Sequence, residues 1–266
     1  MNKLFRYCIA VLLITSPVCS LAQQPAFKVD VRGKGEPILL FPGFACTGEV
    51  WEATTKELSS KYECHVFTFA GFGEVAPIGQ PWLPAIKDEL IRYVKEKKLK
   101  NATIIGHSLG GTLGLWLATE EKELFKKLIA VDALPCTGAL MVPNYNPATM
   151  VYDNPYSKQV LEMDSSAFRK MALQSASFMM LNKSRLDQVV DWMVKADRKT
   201  YVYGYIDLLK LDLREDIAKI NIPVVILAAT HPDKNMIEKT YNSQFGKLSN
   251  KRILYADKSA HFIMYD

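Results

Sequence analysis

The sequence predicts an α/β protein in which a mostly parallel sheet is covered by helices on both faces. Two observations predict this fold class. Strand-like runs alternate with helix-like segments, and most of the runs are wholly apolar, as in strands buried on both sides. The length of 266 residues and the balanced composition, with a formal net charge of +5, fit one domain or one domain with an insertion. Because the basic residues are mostly scattered, nothing indicates a nucleic-acid partner.

The first 22 residues have the pattern of a secretory signal peptide. Lys3 and Arg6 form a charged start, a short apolar stretch follows, and a small-x-small site predicts cleavage after Ala22. The apolar stretch is too short to span a bilayer. We therefore expect a periplasmic or secreted protein with no stable membrane insertion after cleavage. A lipoprotein signal that ends at Cys19 is the alternative.

Cleavage would leave three cysteines, an odd number for an exported protein. Cys46 and Cys136 each follow a predicted strand, so both are expected at the same edge of the sheet. A disulfide between them is one interpretation for an oxidising compartment. Three separate buried thiols, with Cys64 as the third, are the interpretation that we favour.

The first half of the chain begins with two strand-like runs around the turn Gly33-Lys34-Gly35, a pattern that predicts a β-hairpin. Further on, Ile86, Leu90 and Val94 recur at helical spacing and predict an amphipathic helix. The elements predicted here are strands at 27–31, 37–41 and 64–69 and helices at 50–58 and 82–97.

The second half continues the alternation. Right-handed crossovers place the ends of parallel strands along one edge of the sheet. The elements predicted here are strands at 102–105, 128–131, 223–229 and 252–255 and helices at about 109–121 and 235–245. Residues 23–134 and 212–266 are therefore assigned to the core domain.

Residues 135–211 interrupt this rhythm and are predicted to form a helical cap or lid. The stretch has no clear buried strand, and seven of the ten methionines lie between Met141 and Met193. Methionine adapts to irregular apolar space, so the composition favours a lid over an apolar substrate pocket. A loosely packed helical insertion without that role is the alternative.

The sequence Gly106-His107-Ser108-Leu109-Gly110 joins an apolar run to a helix-forming run. This pattern is typical of a nucleophile elbow, in which a serine occupies a sharp turn between a strand and a helix. The turn requires a strained backbone at Ser108, and glycines two positions to either side avoid a collision. A tight turn without chemistry is the alternative.

A serine hydroxyl needs a base to become a good nucleophile, and the chain has four histidines. His65 lies inside a predicted strand, and His107 adjoins the serine, where the turn points it elsewhere. His231 follows the strand at 223–229. His261 lies in a loop just after the last strand and follows the serine in the chain order of this architecture, so we predict that it is the base.

The base needs a carboxylate to orient it. Asp233 follows the strand at 223–229 and is the predicted acid. Asp132, which ends the preceding strand, is the rival, whereas Asp257 is too close to His261 in sequence to reach the far ring nitrogen.

An oxyanion hole needs two backbone N–H groups that point at the developing charge. We expect one from Leu109, directly after the serine, and one from Phe44 in the loop at 42–48. A side chain in the pocket wall is the alternative, or additional, role of Phe44.

Four pieces of the sequence resemble the α/β-hydrolase superfamily: the run Leu39 to Phe44, the serine motif, Ile222-Pro223-Val224 and Ala260-His261-Phe262. The resemblance implies an eight-stranded sheet, a helical cap after the sixth strand and no cofactor or metal. It covers essentially the whole mature chain.

The sequence departs from the family pattern in three places. Pro42 replaces the usual histidine of the oxyanion loop, which should matter little because the hole uses backbone groups. Pro232 stands about where the acid usually falls. The sequence ends at Asp266, five residues after His261, where the family usually adds a helix. Either this form lacks that helix or the chain is cut short.

These observations predict an exported serine hydrolase that cleaves carboxylic esters of a small molecule with an apolar group through an acyl-enzyme. An amide-cleaving hydrolase with the same triad is one alternative, for which Asp153, Glu162 and Asp164 could hold a substrate amine. A binding protein that kept the fold but lost turnover is the other. The oligomeric state stays open.

Overall fold

A seven-stranded sheet forms the centre of residues 24–266, the part of the chain that the computed structural model describes. Its strands are β1 Phe27–Arg32, β2 Glu36–Phe41, β3 Tyr62–Phe69, β4 Ala102–His107, β5 Phe125–Val131, β6 Val224–Ala229 and β7 Lys251–Ala256. They lie in the order β1-β3-β2-β4-β5-β6-β7, and all neighbours are parallel except β1 and β3. The predicted signal peptide lies outside the described residues.

Helices surround this sheet, so the predicted α/β class with a mostly parallel sheet is confirmed. The helices are α1 Glu52–Leu58, α2 Trp82–Glu96, α3 Leu109–Glu120, α4 Thr137–Met141, α5 Pro155–Glu162, α6 Ser165–Phe178, α7 Leu186–Lys195, α8 Arg198–Lys210 and α9 Lys234–Gln244. Within residues 24–266, no helix is both long and apolar enough to cross a membrane.

Three topological expectations differ from the structure. Seven strands are present in the described residues where eight were expected, and the helical insertion α4–α8 follows the fifth strand, not the sixth. The expected hairpin is wrong, because β1 pairs with β3 and β2 lies between β3 and β4. Burial explains this order. Residues 38–41 of β2 are buried, as a central strand requires, whereas the mostly exposed β1 suits an edge.

The insertion is attached to the core through Asp207 of α8. This buried carboxylate accepts hydrogen bonds from the first N–H groups of α2, Trp82 at 2.7 Å and Leu83 at 3.1 Å, and from the hydroxyl of Tyr152 at 2.5 Å. It therefore serves as an N-cap for α2 from 125 residues away in sequence. The result is a fixed position for α8 over the core.

The three cysteines of the described residues are free thiols, and each is buried. Burial raises the pKa of Cys46 to about 12, so this thiol stays protonated at neutral pH. The favoured interpretation of separate thiols is confirmed, and Cys46 and Cys136 do not form a disulfide.

Candidate active site

Ser108 lies at the turn between β4 and α3, with φ of 52° and ψ of −120°. Two close approaches hold this strained conformation. A Cβ on Gly106 would lie 2.3 Å from the carbonyl of Gly110, and a Cβ on Gly110 would lie 2.4 Å from the carbonyl oxygen of Phe41. Only glycine fits at either position. The serine therefore stands at the N-terminus of α3, whose dipole favours negative charge.

His261 receives its carboxylate partner from the end of β5. Its Nδ1 lies 2.6 Å from Oδ2 of Asp132. The other oxygen of Asp132 accepts from the backbone N–H of Ala229 and the hydroxyl of Tyr241, both at 2.9 Å. Burial alone would raise the pKa of Asp132, but His261 and these donors outweigh it and lower the pKa. The carboxylate thus stays ionised.

The structure does not bring Asp233 to His261, which corrects the predicted choice of acid. The carboxylate of Asp233 instead accepts from the N–H groups of Asn235 and Met236 and caps α9. An aspartate directly before a helix is a preferred N-cap, so the local role prevails. Asp132, the rival candidate, makes the contact instead.

The other three histidines have separate positions. His65 lies in β3, as predicted, and its ring contacts the side chains of Tyr93 and Glu63. His107 is buried, and its Nε2 donates to the backbone oxygen of His261 at 2.9 Å. Burial lowers the pKa of His107 to about 3, so its ring is neutral. His231 lies at the cavity, with its ring 6.3 Å from that of Phe178.

The loop that carries the histidine is attached to the helical insertion. The N–H of Phe262 donates to the carbonyl of Met179 at 3.1 Å. The side chain of Asp266 accepts from the N–H of Ala260 at 2.7 Å with one oxygen and from the N–H groups of Leu181–Asn182 with the other. One carboxylate thus joins the insertion to the histidine loop.

The two predicted oxyanion donors flank the serine. A Cβ on Gly43, next to Phe44, would lie 3.4 Å from Cβ of Ser108, so the loop after β2 passes directly beside this serine. Among residues 24–266, neither the N–H of Phe44 nor that of Leu109 has a hydrogen-bond acceptor. Both groups are therefore available to a ligand, and their role in an oxyanion hole stays a prediction.

A cavity of about 890 Å³ contains this constellation. Core residues line one part of it, among them Ser108, Asp132 and His261, and residues of the insertion line another part, including Met141 of α4 and Phe178 of α6. In the described part of the chain, its lining includes no lysine, arginine or glutamate. Likewise, no cluster of His, Cys, Asp or Glu suited to a metal ion occurs within residues 24–266. The arrangement favours an uncharged, largely apolar ligand.

Sequence reasoning missed two supporting residues. Tyr241 holds the carboxylate of Asp132, and His107 supports the loop of His261. Tyr241 carried a sequence signal for burial, because it lies four residues before the aromatic Phe245, which directly follows α9. Both side chains are buried. The position of His107 next to Ser108 gave no sequence signal for its role, because its contact is with His261, 154 positions away.

The model of the Alpha/beta hydrolase family matches residues 38–266. The chain belongs to this family. A pimeloyl-[acyl-carrier protein] methyl ester esterase of Aliivibrio fischeri is 26% identical over 203 residues, which cover 73% of this chain and 75% of the relative. A protein with an esterase name therefore resembles this chain in sequence.

Solved structures resemble the fold over most of its length. An enol-lactonase from Burkholderia xenovorans LB400 has a TM-score of 0.71 at 16% identity and covers 89% of each chain. A hydrolase from Oleispira antarctica has a TM-score of 0.75 at 16% identity, with 90% of this chain and 89% of the other covered. These likenesses establish the α/β-hydrolase fold.

The contact between His261 and Asp132 predicts different effects for two aspartates. Asp132→Asn should lower ester hydrolysis by about 10³–10⁴-fold, because the amide cannot hold the required tautomer or stabilise the imidazolium. Asp233→Asn should leave turnover within about twofold, since it changes only the cap of α9. The measurement is kcat/KM on p-nitrophenyl esters for proteins with matched circular dichroism. The opposite order of effects would restore Asp233 as the acid.

The neutral, buried ring of His107 predicts acid sensitivity. Its pKa lies below the ordinary 6.5, so the unfolded chain binds a proton that the folded chain does not. The free energy of unfolding should therefore fall as pH drops below 6.5, by up to about 1.4 kcal/mol per pH unit from this group. His107→Gln keeps a donor for His261 and should flatten the slope between pH 6.5 and 4 in urea titrations. An equal slope in both proteins would refute this assignment.

Proposed function

We propose that this protein is an exported serine hydrolase that cleaves carboxylic esters through an acyl-enzyme. In this proposal Ser108 is the nucleophile, His261 is the base and Asp132 orients the base. The observation that carries it is the 2.6 Å contact of Asp132 with His261 in the cavity that also contains the strained Ser108. A serine on such a turn, a histidine and a buried carboxylate are the three parts of a hydrolytic triad.

Acylation begins when Oγ of Ser108 attacks the ester carbonyl and its proton moves to Nε2 of His261. Asp132 accepts a hydrogen bond from Nδ1–H and stabilises the imidazolium. The N–H groups of Phe44 and Leu109 receive the oxyanion, with the dipole of α3 adding favourable potential. The tetrahedral intermediate then collapses as His261 returns the proton to the leaving alcohol.

Deacylation repeats these steps with water. His261 removes a proton from the water, whose oxygen attacks the acyl carbonyl. The same two N–H groups bind the second oxyanion. His261 then returns its proton to Ser108, and the carboxylic acid leaves. Asp132 stays ionised throughout both steps, so the only proton carrier among the three residues besides the serine is His261.

The substrate of this proposal is a small uncharged ester with an apolar acyl or alcohol group. The lining of the cavity offers methionine and aromatic side chains, and in the described residues it offers no lysine or arginine for a free carboxylate or phosphate. Several curated relatives carry names of methyl ester esterases, which agrees with ester chemistry.

The amide-cleaving alternative is less favoured. Asp153 is exposed and paired with Lys158, Asp164 caps α6, and neither these two nor Glu162 belongs to the cavity lining. None of these three acidic side chains is thus placed there to hold a substrate amine, and the carboxylate of Asp132, which does line the cavity, is bonded to His261. The binding-protein alternative is also less favoured, because binding alone does not require that Ser108, His261 and Asp132 line one cavity.

Labelling with a fluorophosphonate tests the hydrolase. The wild-type protein should be labelled at Ser108, while Ser108→Ala should abolish labelling and His261→Ala should slow it by at least about 10³-fold, because the base that activates the serine is lost. Hydrolysis of p-nitrophenyl esters of graded chain length should follow the same order. A folded wild-type protein that stays unlabelled would refute the proposal. N-terminal sequencing of exported protein, expected to begin at Gln23, tests the export.

A further inference from the structure

Two tyrosines of α8, Tyr201 and Tyr205, are spaced by one helical turn and lie on the side of the helix that lines the cavity. Both rings pack against the ring of Phe44, with centroids 5.5 Å and 5.4 Å away. Phe44 also carries the N–H proposed for the oxyanion. The tyrosine pair therefore lines the cavity next to the side chain of the residue that is proposed to bind the oxyanion.

The helix that presents these tyrosines is firmly positioned. Its first turn is capped by Asp197, which accepts from the N–H of Thr200 at 2.8 Å. Its last turns are held by Asp207, the N-cap of α2. Gly204, between the two tyrosines, lets the backbone approach closely, since a Cβ there would lie 3.1 Å from Trp82 and 3.5 Å from Phe44. The two hydroxyls are thus pre-organised.

Neither hydroxyl has a hydrogen-bond partner within residues 24–266. The hydroxyls of four other tyrosines do have partners, namely those of Tyr93, Tyr145, Tyr152 and Tyr241. Burial raises the pKa of Tyr205 to about 12 and raises that of Tyr201 as well, with neighbouring Tyr156 adding to both effects. Both phenols therefore remain protonated and keep an O–H to donate.

A plain hydrocarbon chain would not suit this part of the cavity, because it would displace water from both hydroxyls and leave them unpaired. An anionic group would not suit it either, since the described lining contains no lysine or arginine to neutralise the charge. An uncharged oxygen atom satisfies both conditions, as it accepts a hydrogen bond and brings no net charge.

We propose that Tyr201 and Tyr205 form a specificity site that donates hydrogen bonds to a second, uncharged oxygen of the substrate. The preferred ester then carries a carbonyl, ether or hydroxyl oxygen near the scissile bond, in a molecule that is otherwise apolar. This proposal rests on the proposed ester hydrolysis and names its substrate class.

The experiment compares p-nitrophenyl octanoate with five analogues in which one methylene, from position 3 to position 7, is replaced by oxygen. Hexyl acetate and its oxygen-containing analogues cover the alcohol side. Each ester is assayed with the wild type, Tyr201→Phe, Tyr205→Phe and the matched control Tyr203→Phe. Tyr203 lies on the same helix but packs on Tyr152, with ring centroids 5.2 Å apart, and does not line the cavity.

At one or more oxygen positions, the cavity variants should lose about tenfold in kcat/KM, while their kcat/KM for the all-carbon ester stays equal or rises. Tyr203→Phe should change neither. The ratio of wild type to variant cancels the intrinsic reactivity of each ester. Equal fluorophosphonate labelling rates in all four proteins verify that folding and the serine are intact.

Two results separate the possible failures. If the wild type is labelled and hydrolyses esters but the cavity variants change every ester by the same factor, the specificity site is refuted and ester hydrolysis stands. If the folded wild type is neither labelled nor active on any ester, the proposed function fails, and the specificity site fails with it.

Discussion

The steric constraint at Gly106 and Gly110 determines how the rest of the site is arranged. β4, α3 and the end of β2 meet there with no room for a single methyl group. This contact fixes the serine turn against the loop that carries Phe44, so the nucleophile and both predicted oxyanion donors move as one body. Any larger side chain at these positions would separate the strands or tilt the helix, because packed interiors do not yield to small volume changes.

Electrostatics complete the site at the end of the neighbouring strand, β5. Asp132 is a buried carboxylate whose burial is offset by three donors, namely the ring of His261, the hydroxyl of Tyr241 and a backbone N–H. His107, equally buried, is held neutral and so adds no competing charge beside His261. The ionised group that contacts the His261 ring is thus one that favours an imidazolium. The neutral tyrosines that line the cavity add no further charge.

The sequence predicted the elements well and their long-range partners poorly. The apolar runs and the helical spacing gave most strands and helices within a few residues, because these signals are local. Strand pairing is not local. The turn at Gly33 suggested that β1 pairs with β2 in a hairpin, whereas β1 pairs with β3. Asp132 and Asp233 both follow strands that end at one edge, and only the fold shows which carboxylate reaches His261. The N-cap pattern at Asp233 was the one local hint against it.

The side chain of Asp266 has a mechanical consequence. Its two oxygens hold residue 260 on one side and residues 181 and 182 on the other, and Phe262 is bonded to Met179 beside them. A displacement of this corner of the insertion away from the sheet would break these bonds and release the segment that carries His261. Widening the cavity at that corner would therefore also loosen the loop of His261, so that under the proposed mechanism proton transfer by His261 is tied to a closed cavity.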